Sequence, residues 1–268
     1  GDAGKVLKHL VKHCGVCDDD DAYFGMPVSR GVSLVYQHQG ANETELVAIT
    51  PPKELGLPSV PALWKAGKDE DPRLVANIGG AQYTREEAFY LFDRALTKDD
   101  EHLVPVAYVT TLGDEGEGAV LMFSRDHAAG FPVEAYDPHW VELAAVEDYA
   151  MGQTDRHDHN WLTHPDDPKR PLLIDNGLCA PTLTSPRPVA SAFVQAWGKQ
   201  PLSPETVAAL KLLCEDRSLW ADLDEVIGRE ASNLCKQRTC GLRDTGQIPQ
   251  PEEKTSEVSS ELSSESSS

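Results

Sequence analysis

The chain has 268 residues, 40% of them hydrophobic, enough for one large domain or two lobes sharing a cleft. Twenty-four basic residues against 44 acidic ones give a formal net charge of -20, which argues against a nucleic-acid partner, because Lys and Arg drive binding to phosphate backbones. No apolar run of about 18 residues occurs, so no transmembrane segment is expected.

The opening GDAGKVLKHLVKH lacks the apolar stretch of a signal peptide, and six cysteines in so long a chain are too sparse for a disulfide-stapled secreted domain. A soluble protein of the reducing cytoplasm is expected. Residues 1–22 read as an N-terminal extension. In it Cys14 and Cys17 follow His9 and His13, and a zinc shared with Cys235 and Cys240 is conceivable, but unpaired thiols are the simpler reading.

GVSLVYQHQGANETELVAIT, from Gly31 to Thr50, has two β-type runs about a Gly-Ala-Asn turn and predicts a hairpin, ended by the proline-rich segment Pro51 to Pro61. TREEAFYLFDRAL places Ala88, Leu91, Phe92, Ala95 and Leu96 on one helical face, with Thr84 and Glu87 as a capping box. VPVAYVTTL and AVLMF, separated by GDEGEG, predict a second hairpin, and the order becomes β-β-α-β-β.

SRDHAAG reads as a linker, followed by a helix from Val141 to Met151. PLLID reads as a short strand entering an Asn-Gly turn. Ser203 and Pro204 cap PLSPETVAALKLLC, and a further helix is expected over Asp222 to Cys235. From about Gln247 the Ser- and Glu-rich sequence has too little apolar surface to offset ordering entropy, so residues 248–268 are expected to form a disordered tail.

The chemistry concentrates in TDRHDHNWLTHPDDPKRPLLIDNG, Thr154 to Gly177. Asp and Asn there suit turn capping, and His157, His159 and His164 raise a histidine metal site as an alternative. Asp155, Asn160 and Asp175 together form a set of hard oxygen ligands of the kind that holds magnesium on phosphates while an aspartate orients an acceptor hydroxyl.

DRHDHN resembles the catalytic loop D-R-H-x-x-N of the phosphoinositide 3-/4-kinase-like superfamily, and LLIDNG resembles that family's metal-binding aspartate motif. The resemblance implies an α+β, two-lobed protein-kinase-like fold, with a β-rich N-lobe over residues 23–124 and a mostly helical C-lobe over residues 125–247. It implies ATP and Mg2+ as cofactors, Asp155 as the catalytic aspartate, His157 near the transferred phosphate, and Asn160 and Asp175 as metal ligands. Phe123 and Ser124 would form the hinge over adenine, Gly31 and Ser33 the phosphate loop, and Glu86 the helix glutamate that pairs a lysine.

That lysine is the departure from the family pattern. The corresponding segment, AITPPKE, puts Thr50 where the lysine is expected, with Lys53 as the candidate substitute. Lys65 and Lys68 read as residues of a polar, loop-like stretch. A threonine cannot neutralise phosphate charge, so a pseudokinase acting as a nucleotide-binding or protein-binding scaffold, with a protein partner, stands as the rival to a phosphotransferase of unknown acceptor.

Overall fold

The computed structural model describes residues 37–38, 44–49, 60–97, 101–111, 116–122, 128–164 and 166–250. Cys14, Cys17, Gly31, Ser33, Thr50, Lys53, Phe123, Ser124 and residues 251–268 lie outside the described residues; the start of the expected tail is instead packed, with Ile248 in the core and Gln250 Nε2 donating to the Gly198 carbonyl at 2.7 Å. Those that are described form a mixed α+β structure with two antiparallel sheets and seven α-helices.

The larger sheet has the order β1-β2-β3-β5-β4, with β4 at Ala107–Thr111 and β5 at Glu117–Met122. β1 (Gln37–His38) pairs with β2 (Thr44–Ile49), as the first hairpin requires. β3 (Val60–Ala66) corrects the sequence reading twice: it begins inside the expected proline-rich terminator, and it takes Lys65 out of a loop and into the middle of the sheet. Its basis is a period of two. Ala62, Trp64 and Ala66 are buried on one face, and Leu63 and Lys65 alternate with them. The neighbouring strand must also come close: a Cβ on Gly118 would lie 2.4 Å from the Lys65 carbonyl oxygen and 2.6 Å from the Trp64 ring, so this edge of the GDEGEG segment has to be glycine.

Two helices follow β3. Asp71 caps α1 (Pro72–Ile78) by accepting the Arg73 N–H, and Gly79, at φ 74°, ends it. α2 (Gln82–Leu96) is the expected amphipathic helix, but its cap differs from the Thr84/Glu87 box. Glu70, from the preceding turn, accepts the Gln82 N–H at 2.9 Å and also that of Tyr83, placing a carboxylate on two of the orphan donors of the first turn. Thr84 already lies inside the helix, and Glu87 instead accepts the Val109 N–H from β4 at 3.0 Å. β4 (Ala107–Thr111) and β5 (Glu117–Met122) form the second hairpin, so the order is β-β-β-α-α-β-β rather than β-β-α-β-β.

In the second half, β6 (Ala128–Ala129) occupies the end of the expected linker and pairs with β7 (Trp161–Thr163), which pairs with β8 (Pro171–Leu173). α3 (Pro138–Met151) begins ahead of Val141, because Asp137 caps it and Pro138 fits its first turn. α4 (Ala192–Trp197) and α5 (Pro204–Glu215) follow, the latter capped by Ser203 as the sequence predicts. The single helix expected over Asp222 to Cys235 is two: Gly228, at φ 83°, separates α6 (Arg217–Ile227) from α7 (Arg229–Thr245).

One apolar core runs from Val47 and Trp64 in the larger sheet, through Phe89 and Phe92 of α2 and Val146 and Met151 of α3, to Trp220 and Leu242. α2 lies between the sheet and α6, with Phe92 edge-on to Trp220. Truncating such a fully buried aromatic costs about 3–5 kcal/mol. Among the described residues no helix is long and apolar enough to cross a membrane.

Candidate functional site

The site begins with the lysine of β3. Lys65 Nζ donates to Glu86 Oε1 at 2.6 Å and to Asp175 Oδ1 at 2.8 Å, joining the sheet, α2 and the turn after β8. Glu86 is 1% exposed, and its second oxygen accepts the Asn176 N–H at 3.1 Å, so the buried carboxylate is satisfied on both sides. Among the described residues the lysine that meets Glu86 is therefore Lys65, which sequence reasoning had placed in a loop.

Burial alone would pull the Lys65 pKa down, but the Asp175 and Glu86 carboxylates more than reverse this and hold it above the ordinary lysine value. In return, the Lys65 charge lowers the Asp175 pKa against the cost of its desolvation. Both groups are ionised at neutral pH. Asp175 is 55% exposed at its side chain and Lys65 only 18%, which leaves the carboxylate as the open end of the chain of charges.

The second part is the loop between α3 and β7. Gln153 is fully buried, and its side-chain oxygen accepts the N–H groups of Thr154, at 2.9 Å, and Asp155, at 3.1 Å. Asn160 donates through Nδ2 to the Asp155 carbonyl at 2.7 Å and pairs by its own carbonyl with the Ile174 N–H at 3.1 Å. That pairing sets Asn160 beside the residue preceding Asp175. Asp155, 44% exposed, has its pKa raised by desolvation, offset by His157, and it also feels the Asp175 charge. His157 Nε2 lies 3.3 Å from Asn160 Nδ2 and 3.8 Å from Asp155 Oδ2.

Arg156, the R of DRHDHN, ties these pieces together from beneath. It is 2% exposed; Nη1 donates to the carbonyls of Asn160 at 2.7 Å and Ile174 at 2.6 Å, and Nη2 donates to the Asn176 side-chain oxygen. Nε and Nη2 also engage Asp148 of α3, at 3.1 and 3.0 Å. A planar fork with five donors suits a site where several acceptors must be fixed at once. Arg156 therefore sets the spacing between the loop and the Asp175 turn.

Asp175 itself has φ 56° and ψ 57°, the left-handed region that aspartate tolerates better than most residues with a Cβ. The short 3-10 turn Asn176–Leu178 follows, with the Asn176 amide donating to the Leu173 carbonyl at 3.2 Å. The structure thus brings Asp155, His157, Asn160, Asp175 and Glu86 to one place and adds Lys65 and Arg156, which sequence reasoning left without a role. The alternation in VPALWKA was the available signal for Lys65. For Arg156 the signal was its position between two candidate ligands, but nothing in the sequence names its acceptors.

The donor chemistry fits magnesium. Asn160 spends its amide nitrogen on the loop, and its Oδ1 has no hydrogen-bond partner among the described residues; the same is true of Asp175 Oδ2. Magnesium takes one or two protein oxygens and completes its shell with water and phosphate, so these two oxygens are the ones that would hold it. Among the described residues no group of three or more His, Cys, Asp or Glu side chains could hold a metal ion. The histidine alternative loses its geometry accordingly: His157 and His159 stack edge to face with ring centroids 5.8 Å apart, while His164 lies against Arg170. Cys179, Cys214, Cys235 and Cys240 are free thiols. Compared with protein-family models and with curated proteins, the chain shows no match, so its functional reading rests on its own residues.

Proposed function

We propose that the chain is an ATP- and magnesium-dependent phosphotransferase with the two-lobed, kinase-like arrangement of the phosphoinositide 3-/4-kinase-like superfamily. The observation that carries this reading is the contact of Lys65 with both Glu86 and Asp175. A buried glutamate that fixes an ammonium beside an exposed aspartate is what nucleotide phosphates and their metal require. The rival scaffold reading rested on Thr50 standing in place of the lysine and on a phosphate loop with one glycine; Lys65 against Glu86 supplies a cation that speaks against the first ground, while the loop lies outside the described residues.

In this reading Lys65 donates to phosphate oxygens, and Glu86 holds it in reach. Asn160 and Asp175 would hold magnesium, which when bound screens phosphate charge and supports the leaving oxygen. Asp155 accepts a hydrogen bond from the acceptor hydroxyl and takes its proton as the new P–O bond forms and the bond from the γ-phosphorus to the bridging oxygen breaks, releasing ADP; its raised pKa makes it a better base than an exposed aspartate. His157 lies beside it, within reach of the transferring group. The acceptor is the hydroxyl of a protein serine or threonine, of a small molecule or, less favoured, of an inositol lipid. A net charge of -20 without a Lys/Arg cluster fits an anionic membrane surface poorly.

A thermal-shift titration with ATP, with and without magnesium, tests the reading. Ligand at 100 times its Kd stabilises the native state by about 2.7 kcal/mol, so a magnesium-dependent rise in Tm is expected, lost in Asp175→Asn and in Lys65→Met. No rise at millimolar ATP with magnesium would sink the proposal. Asp155→Asn should keep the Tm rise while lowering phosphate transfer by about a hundredfold or more.

A further inference from the structure

The stretch after Asp175 is gripped by two consecutive residues of α2. Glu86 takes the Asn176 N–H at its start. Arg85, 2% exposed, takes its end: Nε donates to the Cys179 carbonyl at 2.8 Å and Nη2 to the Ala180 carbonyl at 3.2 Å. The same guanidinium donates to Ala81 at 2.8 Å and to Ile78 at 3.2 Å, the carbonyls at the start of its own helix and the end of α1. All four acceptors are main-chain carbonyls, and among the described residues no carboxylate forms an ion pair with Arg85.

Burying a guanidinium on carbonyls, with the Glu70 carboxylate acting on it but not in contact, is costly, so a site that does so must be built for it. The neighbouring residues show that construction. A Cβ on Gly80 would sit 2.7 Å from Nη1, so any other residue there would displace the fork from its carbonyls. Ala180 is held at φ 49°, an unfavourable conformation for a residue with a Cβ, with its N–H on the Met151 carbonyl at 2.7 Å. Beyond it, the Thr182 N–H reaches the Ile78 carbonyl at 3.1 Å, and Ser185 Oγ reaches the Ala76 carbonyl at 2.9 Å. Three stretches of chain therefore meet on one side chain.

Helix α2 carries both Glu86 and Arg85, so it cannot withdraw Glu86 from Lys65 without also breaking the bonds to Asn176, Cys179 and Ala180. We propose that Arg85 is a positioning residue that locks residues 176–180, and Asp175 with them, to α2, so that the site stands assembled without modification of the segment or a helix-shifting partner. The consequence for nucleotide binding rests on the phosphotransferase reading; the lock itself does not. Such a lock acts on the metal-dependent part of binding, because Asp175 is the element it places.

The test compares the full chain with Arg85→Gln, Arg85→Lys and Gly80→Ala, by hydrogen exchange of the Asn176, Ala180 and Thr182 amides and by ATP affinity with and without magnesium. Gly80→Ala displaces the fork while keeping its charge, so it serves if Arg85→Gln fails to fold. Exchange at these amides should rise by about tenfold or more in Arg85→Gln. Magnesium-ATP affinity should fall by about tenfold while magnesium-free affinity stays within about twofold. Arg85→Lys, with charge but no fork, should fall between. Unchanged exchange, or equal loss with and without magnesium, would overturn the proposal. If the wild type binds no nucleotide, the phosphotransferase reading falls, and the exchange result alone then upholds or overturns the lock.

Discussion

Glu147 and Asp148 are neighbours on α3, neither with any exposed surface, and they live in opposite environments. Asp148 receives Nε and Nη2 of Arg156 and, at 2.7 Å, the hydroxyl of Ser191. No N–H or hydroxyl donor reaches either oxygen of Glu147 among the described residues; the ionisable groups that face it are Asp93 of α2, with which it shares a side-chain hydrogen bond, its neighbour Asp148, and Arg156. Burial first, and then Asp93, push the Glu147 pKa well above the usual carboxylate range, which favours its protonated form. One carboxylate organises the loop below the site through its charge. The other, one residue away, sits between two helices where burial and two neighbouring carboxylates oppose its charge.

The largest effect should come from breaking the paired side. Arg156→Met leaves Asp148 buried without its cation and releases the carbonyls of Asn160 and Ile174, so a loss of about 3–5 kcal/mol is expected in urea unfolding. A loss below about 1 kcal/mol would mean the pair does not organise the loop.

The unpaired side is sharpened by Glu147→Gln. A folded pKa above the unfolded one gives stability that is complete below the ordinary carboxylate value and is lost as pH rises through the folded pKa. Glutamine has no proton to lose there. The variant should match the wild type near pH 4 and exceed it by about 1–3 kcal/mol at alkaline pH, read from melting curves across pH. A constant gap at all pH values would show that Glu147 is not the titrating group.

Ser191→Ala makes the smallest change. It removes one bond to Asp148 and the cap that accepts the Val194 N–H at 3.2 Å, for about 1–2 kcal/mol in the same urea experiment. Asp148 retains Arg156, so a loss near that of Arg156→Met would contradict the ranking of its partners.

The elements legible in the sequence were those whose local pattern agreed with their environment. TREEAFYLFDRAL had its apolar stripe, the hairpin flanking GDEGEG its alternation, and Ser203-Pro204 its cap, and each is found. β3 was hidden because Pro61 demotes a strand and alanine is a poor strand former, so its three buried positions did not stand out from the proline-rich segment before it. The α2 cap was misread because its carboxylate, Glu70, lies 12 positions before Gln82, beyond the reach of a four-residue motif. At the site, Asp155, Asn160 and Asp175 could be named from type and spacing. Lys65 and Arg156 could not, since their roles depend on partners up to 110 positions away.

The triple tie of Asn176 bears on how the protein ages. Asn-Gly pairs in supple loops rearrange chemically when the backbone nitrogen of the glycine attacks the asparagine side-chain carbonyl, and residues 176–177 are such a pair, placed next to a proposed metal ligand. Here the carbonyl is engaged by Arg156, the amide nitrogen by Leu173, and the main-chain N–H by Glu86, in a residue 1% exposed. The swing that the rearrangement needs would require all three to open together, so deamidation at this position is gated by local unfolding, and its rate becomes a slow clock for the opening of the site.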